Sequence, residues 1–287
     1  MFESVRGRSM KKTMIYGSMS MLMLAACNSA SQEADTPEIT EEEPDQQQEQ
    51  PEEVEEPTEE IDPDDSDEQE DSEEVVEEVE PEYEINDVIW TVDPLEDANP
   101  EVVLATFDDA PDKHAVEMAQ TLKENNVPAI FFVNGHFLNT DEEKEKLKEI
   151  HNMGFPIGNH TMTHQDLKSL SEEEQYEEIV EVSDTVEEII GERPRFFRAP
   201  FGSNTDYSKE LVAEEGMTLM NWTYGYDWES EYQDADALAD IMVNSEFLQN
   251  GANLLMHDRD WTNEALPTII DGLREQGYEF VDPDLIK

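Results

Sequence analysis

The sequence predicts an α/β fold built on a parallel sheet or barrel, and three observations carry that prediction. Short β-rich runs alternate with helix-like segments from Val88 to the C-terminus. Polar residues capable of chemistry follow the ends of several of those runs. Nearly all the aromatic residues of the 287-residue chain fall in this part, whereas the segment before it is acidic and almost free of them. Such alternation is what a parallel sheet requires, because each return to the same edge needs a crossover, usually a helix.

The elements follow in order. Val102–Phe107 is the first β-rich run. Ala115–Asn125 has helical periodicity and stops at Asn125-Asn126, ahead of Pro128. Ala129–Val133 is the next strand. Asp141–His151 reads as a helix capped by Thr140 or Asp141, with Gly154 beyond its end. Phe155–Asn159 is a strand candidate. Ser171–Ile190 is the longest helix, opened by a capping box from Ser171 to Glu174 and closed by Gly191. Phe196–Arg198, Thr218–Thr223, Asn253–Met256 and Tyr278–Val281 are further strands, with helices at Tyr207–Glu215, Ala235–Leu248 and Asn263–Gln276 between them. Function in such folds sits on loops at the carboxyl ends of strands. Asp108, His160, Arg198, Asp227 and His257 each lie at or just past such an end.

Composition divides the chain into three parts. In residues 1–27, Arg6, Arg8, Lys11 and Lys12 precede an apolar stretch from Met14 to Ala26. That stretch is too short to span about 30 Å of hydrocarbon as a helix, so a signal peptide is expected. Its end, Leu24-Ala25-Ala26-Cys27, resembles a bacterial lipobox, which implies lipidation of Cys27, the chain's single cysteine. Residues 28–86 are expected to be a disordered linker. Within them, positions 31–84 hold 28 Asp and Glu, no Lys or Arg, and one aromatic, Tyr83. Such a segment repels itself and buries too little apolar surface to offset the entropy of ordering. It would act as an extended tether, holding residues 87–287 away from a membrane at an extracytoplasmic, lipid-anchored location.

The formal charge of −57 excludes a nucleic-acid binder, which needs a basic footprint. From residue 85 onward the chain still has 45 acidic and 13 basic residues, a balance that suits a salt-adapted surface. A polyanion such as teichoic acid would be repelled at low salt.

His160-Thr-Met-Thr-His164 is the sharpest local signal. Two histidines four apart, read as one face of a helical turn, can bring both imidazoles to one cation. The same spacing also recurs in surface histidine pairs. Asp108-Asp109 places two adjacent carboxylates at a strand end, where a cation or an arginine would compensate them; before Ala110-Pro111 they also read as an acidic turn.

Taken together, Thr106-Phe-Asp108-Asp109-Ala110-Pro111, His160-Thr-Met-Thr-His164, Arg198-Ala-Pro-Phe201, Asp227-Trp228 and Leu255-Met-His257 resemble, in order and spacing, the NodB-type polysaccharide deacetylases of carbohydrate esterase family 4. The resemblance runs from about Val102 to the C-terminus. It implies a distorted (β/α) barrel with fewer than eight repeats and hydrolysis of N-acetyl groups on a hexosamine-containing polysaccharide. It also implies a divalent metal on Asp109, His160 and His164, a donor set that suits zinc, with cobalt or nickel as alternatives, better than magnesium. Asp108 would be the general base, Arg198 its ion-pair partner, and His257 the acid that protonates the leaving amine. Phe201, Asp227, Trp228 and Leu255 are expected around the substrate pocket, with a backbone N–H near Phe201 stabilising the oxyanion.

Two departures bear on this reading. Ala110 stands where the family usually has glycine, a strain if the turn there is left-handed. Tyr224, Gly225 and Tyr226 occupy a stretch where the family often carries a further acid behind the catalytic histidine, which leaves Asp258 or another carboxylate as the expected partner of His257. His114, His136 and His151 match no motif and read as surface residues. The expected protein is therefore a monomeric, surface-tethered deacetylase. The alternatives are a glycan-binding lipoprotein on a decayed deacetylase fold and a metal-free amidohydrolase on a related barrel.

Overall fold

The computed structural model describes residues 80–287; the signal segment, Cys27 and the acidic stretch up to residue 79 lie outside the described residues. The first described strand, β1 (Tyr83–Ile85), pairs antiparallel with β2 (Val92–Pro94). This hairpin begins ahead of the domain boundary at residue 87 that composition suggests. Tyr83 explains why: it is the acidic stretch's one aromatic residue, and it is buried in the core.

The elements then alternate. They are β3 (Val102–Ala110), α1 (Ala115–Glu124), β4 (Ala129–Val133), α2 (Asp141–Asn152), β5 (Ile157–Asn159), α3 (Glu172–Ile190), β6 (Phe196–Phe197), α4 (Asp206–Glu214), β7 (Thr218–Leu219), α5 (Ala235–Asn244), β8 (Ala252–His257), α6 (Asp260–Glu275) and β9 (Glu279–Phe280). The larger sheet runs β7-β6-β5-β4-β3-β8, with β9 also paired to β3, and every pairing in it is parallel. It curls into the distorted, incomplete (β/α) barrel that the sequence leads one to expect.

Helix ends follow local chemistry. Thr140 and Ser171 accept the third backbone N–H of α2 and α3, and Glu143 and Glu174 return the bond, completing two capping boxes. Gly191 closes α3 in the left-handed conformation (φ 84°). Helix α5 stops at Asn244, short of Leu248, because Ser245 is extended. The run from Thr218 to Thr223 pairs as a strand only over its first two residues; beyond them Met220 bonds back to Phe197, and Thr223 to Asn253.

The two-residue period of β-structure sorts the core into two layers. Val103, Ala105 and Phe107 of β3, with Ala129, Phe131 and Val133 of β4, face the helices and join the main cluster with residues of α1, α2, α5 and α6. The alternate residues face inward. Val102, Leu104, Ile130, Phe132, Phe196 and Met220 form a second cluster, with Tyr83 and Val92 of the hairpin packed into it. Further along the same inward-facing positions, apolar side chains give way to Thr106 and Asp108. An apolar floor thus carries a polar layer at the carboxyl end of the strands. No helix among the described residues is long and apolar enough to cross a membrane.

Candidate active site

The polar layer is organised around Arg198. It follows β6 and is fully buried. Its Nη1 donates to Asp108 Oδ1 at 2.7 Å and to Thr106 Oγ1 at 2.8 Å. Nη2 donates to the Asn221 carbonyl at 2.9 Å and to Asn253 Oδ1 at 3.2 Å. Its guanidinium carbon lies 4.3 Å from the centre of the Phe132 ring. That ring reaches its place because β5 carries glycine opposite: a Cβ on Gly158 would meet Phe132 Cδ1 at 2.4 Å. Burial pushes the Arg198 guanidinium down from its ordinary value, and the Asp108 charge and hydrogen bond oppose that push. A fully buried cation persists when paired and hydrogen-bonded in this way, so Asp108 is held by Arg198 as the sequence suggests.

Asp109, His160 and His164 converge. One ligand atom from each lies within 4.8 Å of the other two. Asp109 Oδ1 is 3.6 Å from His164 Nε2 and 3.9 Å from His160 Nε2. His160 Nδ1 bonds to the Arg198 carbonyl at 2.7 Å, which makes it the N–H donor and turns the Nε2 lone pair toward the carboxylates. Asn134 Nδ2 donates to the His160 carbonyl at 2.5 Å. Burial, then the neighbouring His160, lowers the His164 pKa and favours the neutral imidazole that a ligand must be. Burial alone would raise the Asp109 carboxyl, but His160, His257, His164 and Arg259 outweigh it and hold it below the usual carboxylate range. Two imidazoles and one carboxylate form a three-donor set that can hold one divalent ion with a position left open.

The two histidines do not lie on a helical turn. Residues 160–164 are a loop, with Thr161 (φ 71°) and His164 (φ 59°) in the left-handed region. That reversal brings the imidazoles to 5.0 Å between ring centroids. The Glu178 carboxylate of α3 holds the loop by accepting from the Thr163 N–H and hydroxyl.

Ala110 introduces no strain. The left-handed residue is Asp109 (φ 60°), one position earlier, and Ala110 is an ordinary buried strand residue. A carboxylate residue tolerates that backbone better than most.

Across the site stands His257, the last residue of β8. The sequence places Asp227 around the substrate pocket, and the structure corrects that. Asp227 is fully buried behind His257, with Oδ1 2.6 Å from His257 Nδ1 and Oδ2 accepting from the His257 N–H (2.6 Å) and Thr262 Oγ1 (2.8 Å). Burial opposes protonation of His257, but the Asp227 charge and hydrogen bond, with Asp108 and Asp109 beyond, raise its pKa above the ordinary histidine value. Asp258 is not the partner. Its carboxylate accepts the N–H groups of Lys113, His114 and Ala115, capping α1.

Leu255 and Trp228 wall the cleft beside His257, with the Trp228 and His257 rings 5.6 Å apart and edge to face. Phe201, also left-handed (φ 59°) and 69% exposed, lies over His164 at 4.9 Å. The cleft has a volume of about 380 Å³. It is lined by two further residues that sequence reasoning missed, Trp222 and Arg259. Trp222 precedes the strand-end motif by five residues, and no spacing rule marks it. Arg259 stands two residues after His257, and its Nη2 lies 2.6 Å from Asp109 Oδ2. His114 is not a simple surface residue either. It bridges Glu117 (2.5 Å) and Asp260 (2.9 Å), and Glu117 first, against burial and with Asp260, raises its pKa.

A family profile described as polysaccharide deacetylase matches residues 96–220. A peptidoglycan-N-acetylglucosamine deacetylase of Bacillus cereus is 34% identical over 188 residues, covering 62% of this chain and 68% of that protein. The chain belongs to the polysaccharide deacetylase family. Among solved structures, the peptidoglycan deacetylase PdaC of Bacillus subtilis matches at 30% identity and a TM-score of 0.56, covering 64% of this chain and 88% of that one. A mutant of a family 4 pseudoenzyme, with restored enzymatic activity, matches at 31% and 0.58, covering 63% of this chain and 65% of that one. The family match ends at residue 220, so the segment carrying Asp227, Trp228 and His257 is assigned to the site by geometry.

Proposed function

We propose that this protein is a zinc-dependent hydrolase, tethered at the cell surface through Cys27, that removes N-acetyl groups from a hexosamine-containing polysaccharide. Peptidoglycan, the substrate class named for the Bacillus cereus and Bacillus subtilis relatives, is the leading candidate. The observation that carries the reading is the placement of two opposed proton-transfer groups around one donor triad. Asp108, held by buried Arg198, stands on one side, and His257, backed by buried Asp227, on the other. A zinc ion on Asp109, His160 and His164 would polarise the acetyl carbonyl and acidify water.

The protein's own residues account for the rest. Asp108 lies 3.5 Å from His160 Nε2, at the edge of the triad, where it takes the proton of the attacking water. Arg198, paired with that carboxylate at 2.7 Å, orients it. The C–N bond of the amide breaks as His257 gives its proton to the departing amine, leaving acetate and the free amino sugar. Leu255 and Trp228 offer the acetyl methyl an apolar wall. The exposed faces of Trp228 and Phe201 suit the apolar faces of pyranose rings.

A glycan-binding protein that has lost catalysis rests on Ala110 and on the altered stretch before Asp227. Ala110 sits in unstrained strand, and Asp227 itself supplies the carboxylate behind His257. The test is acetate release from N-acetylglucosamine oligomers and from peptidoglycan by protein lacking the signal segment. Tight oligosaccharide binding without acetate release would favour the glycan-binding alternative. Incorporation of a fatty-acid analogue at Cys27, lost in Cys27→Ser, tests the anchor.

A further inference from the structure

Arg259 belongs to none of the motifs, yet it contacts the metal-binding carboxylate directly. Asp109 divides its two oxygens. Oδ1 faces the ligand nitrogens of His160 and His164, and Oδ2 accepts from Arg259 Nη2 at 2.6 Å. The second guanidinium nitrogen, Nη1, donates to the Asp258 carbonyl at 2.9 Å, so the guanidinium is held at both ends. The residues on either side are fixed as well. The Asp258 carboxylate takes three backbone N–H groups at the start of α1, and Asp260 accepts from His114 at 2.9 Å. The loop after β8 is thereby fastened to the loop after β3, with Arg259 as its reach into the site.

We propose that Arg259 is a positioning residue for the metal: it occupies Asp109 Oδ2 and leaves Oδ1 as the single oxygen offered to the ion. This rests on the metal-dependent reading above. Among the described residues Arg259 is the one hydrogen-bond donor to the Asp109 carboxylate, the two imidazole nitrogens lying 3.6 and 3.9 Å away, so it is what fixes that side chain's orientation. A guanidinium suits the task because it binds a carboxylate in a fixed plane, whereas an ammonium offers only a point charge. A cation beside a metal site also repels the metal. The Arg259 side chain is 30% exposed on the open cleft, where solvent screens that repulsion, while the hydrogen bond is short and direct. Positioning therefore dominates.

Zinc affinity, read by competition with a chromophoric chelator, tests the proposal without any substrate. Arg259→Met should bind zinc roughly 10- to 100-fold more weakly than the wild type, the usual cost of removing a partner of a metal ligand. Arg259→Lys should recover part of the loss. Unchanged or tighter binding in Arg259→Met would overturn the proposal, because charge repulsion would then be the larger effect. A crystal structure of the zinc-loaded wild type decides independently of how the variants fold. Asp109 bound through one oxygen, with Arg259 on the other, supports the proposal; Asp109 bidentate with Arg259 displaced refutes it. The deacetylase assignment fails separately, on acetate release, and leaves both measurements readable.

Discussion

Replacing Asp227 by asparagine keeps shape and removes the charge behind His257. In the wild type the carboxylate receives His257 Nδ1 at 2.6 Å, the His257 backbone N–H at 2.6 Å and the Thr262 hydroxyl at 2.8 Å, and it has no exposed surface. A hydrogen bond to a charged group contributes about 1.5–3 kcal/mol. The Asp227 charge and its hydrogen bond are what hold the His257 pKa up against burial, so the substitution should lower it. His257 must be protonated to serve the departing amine. The alkaline limb of kcat/KM for acetate release should therefore move to lower pH, with kcat reduced by no more than the roughly 100- to 10,000-fold that a positioned acid contributes and KM little changed. Stability reports the same linkage. A histidine whose folded pKa is raised stabilises the protein fully below its unfolded value of about 6.5, and that contribution is lost as pH rises through the folded value. The gap in melting temperature between wild type and Asp227→Asn should accordingly be widest in acid and narrow with rising pH. An alkaline limb that stays in place would refute the pairing as the source of the acid's strength.

Three further substitutions probe the scaffold of the site. Arg198→Met leaves Asp108 buried without its cation and should cost about 3–5 kcal/mol, a fall of roughly 6–20 °C in melting temperature for a domain of this size; calorimetry checks it, and a change of under 2 °C contradicts it. Gly158→Ala drives a methyl group to 2.4 Å from Phe132 Cδ1, and the overpacking should cost about 1–3 kcal/mol in chemical denaturation while displacing the ring beneath Arg198. Gly225→Ala would put Cβ 2.2 Å from the Leu255 carbonyl and 2.9 Å from the Trp228 ring; because both residues wall the cleft, KM for acetylated oligomers should rise several-fold along with any loss of stability.

Much of this arrangement is legible in the sequence, since strand ends and helix caps are local. Thr140, Ser171 and Gly191 mark their helix ends as capping chemistry requires, and the residues at the carboxyl ends of β3, β5, β6 and β8 fall on one rim because parallel strands point the same way. What is not legible is set by tertiary geometry. The His160–His164 spacing invites a helical turn, but the loop reverses through Thr161 and His164 in left-handed conformations, which no periodicity encodes. Asp227 reads as a pocket residue from its place beside Trp228, and only the packing of β8 and α6 turns it inward onto His257 and Thr262. Ala110 looks strained on the expectation of a glycine there, but the left-handed residue is its neighbour. Arg259 and Trp222 lie in irregular segments, where neither period nor motif marks a side chain that will line a cleft. The hairpin of β1 and β2 escapes notice because its strands are only three residues long and Tyr83 stands among acidic residues, buried only once the sheet exists to receive it.

Acetate release and metal content, determined on one sample of the protein and on Asp109→Ala, test the central claim most directly. One zinc per chain should accompany acetate release from N-acetylated glycan, with both lost to chelator, both restored by zinc, and both absent in Asp109→Ala. Acetate release that persists in Asp109→Ala, or that is indifferent to chelation, would contradict the account.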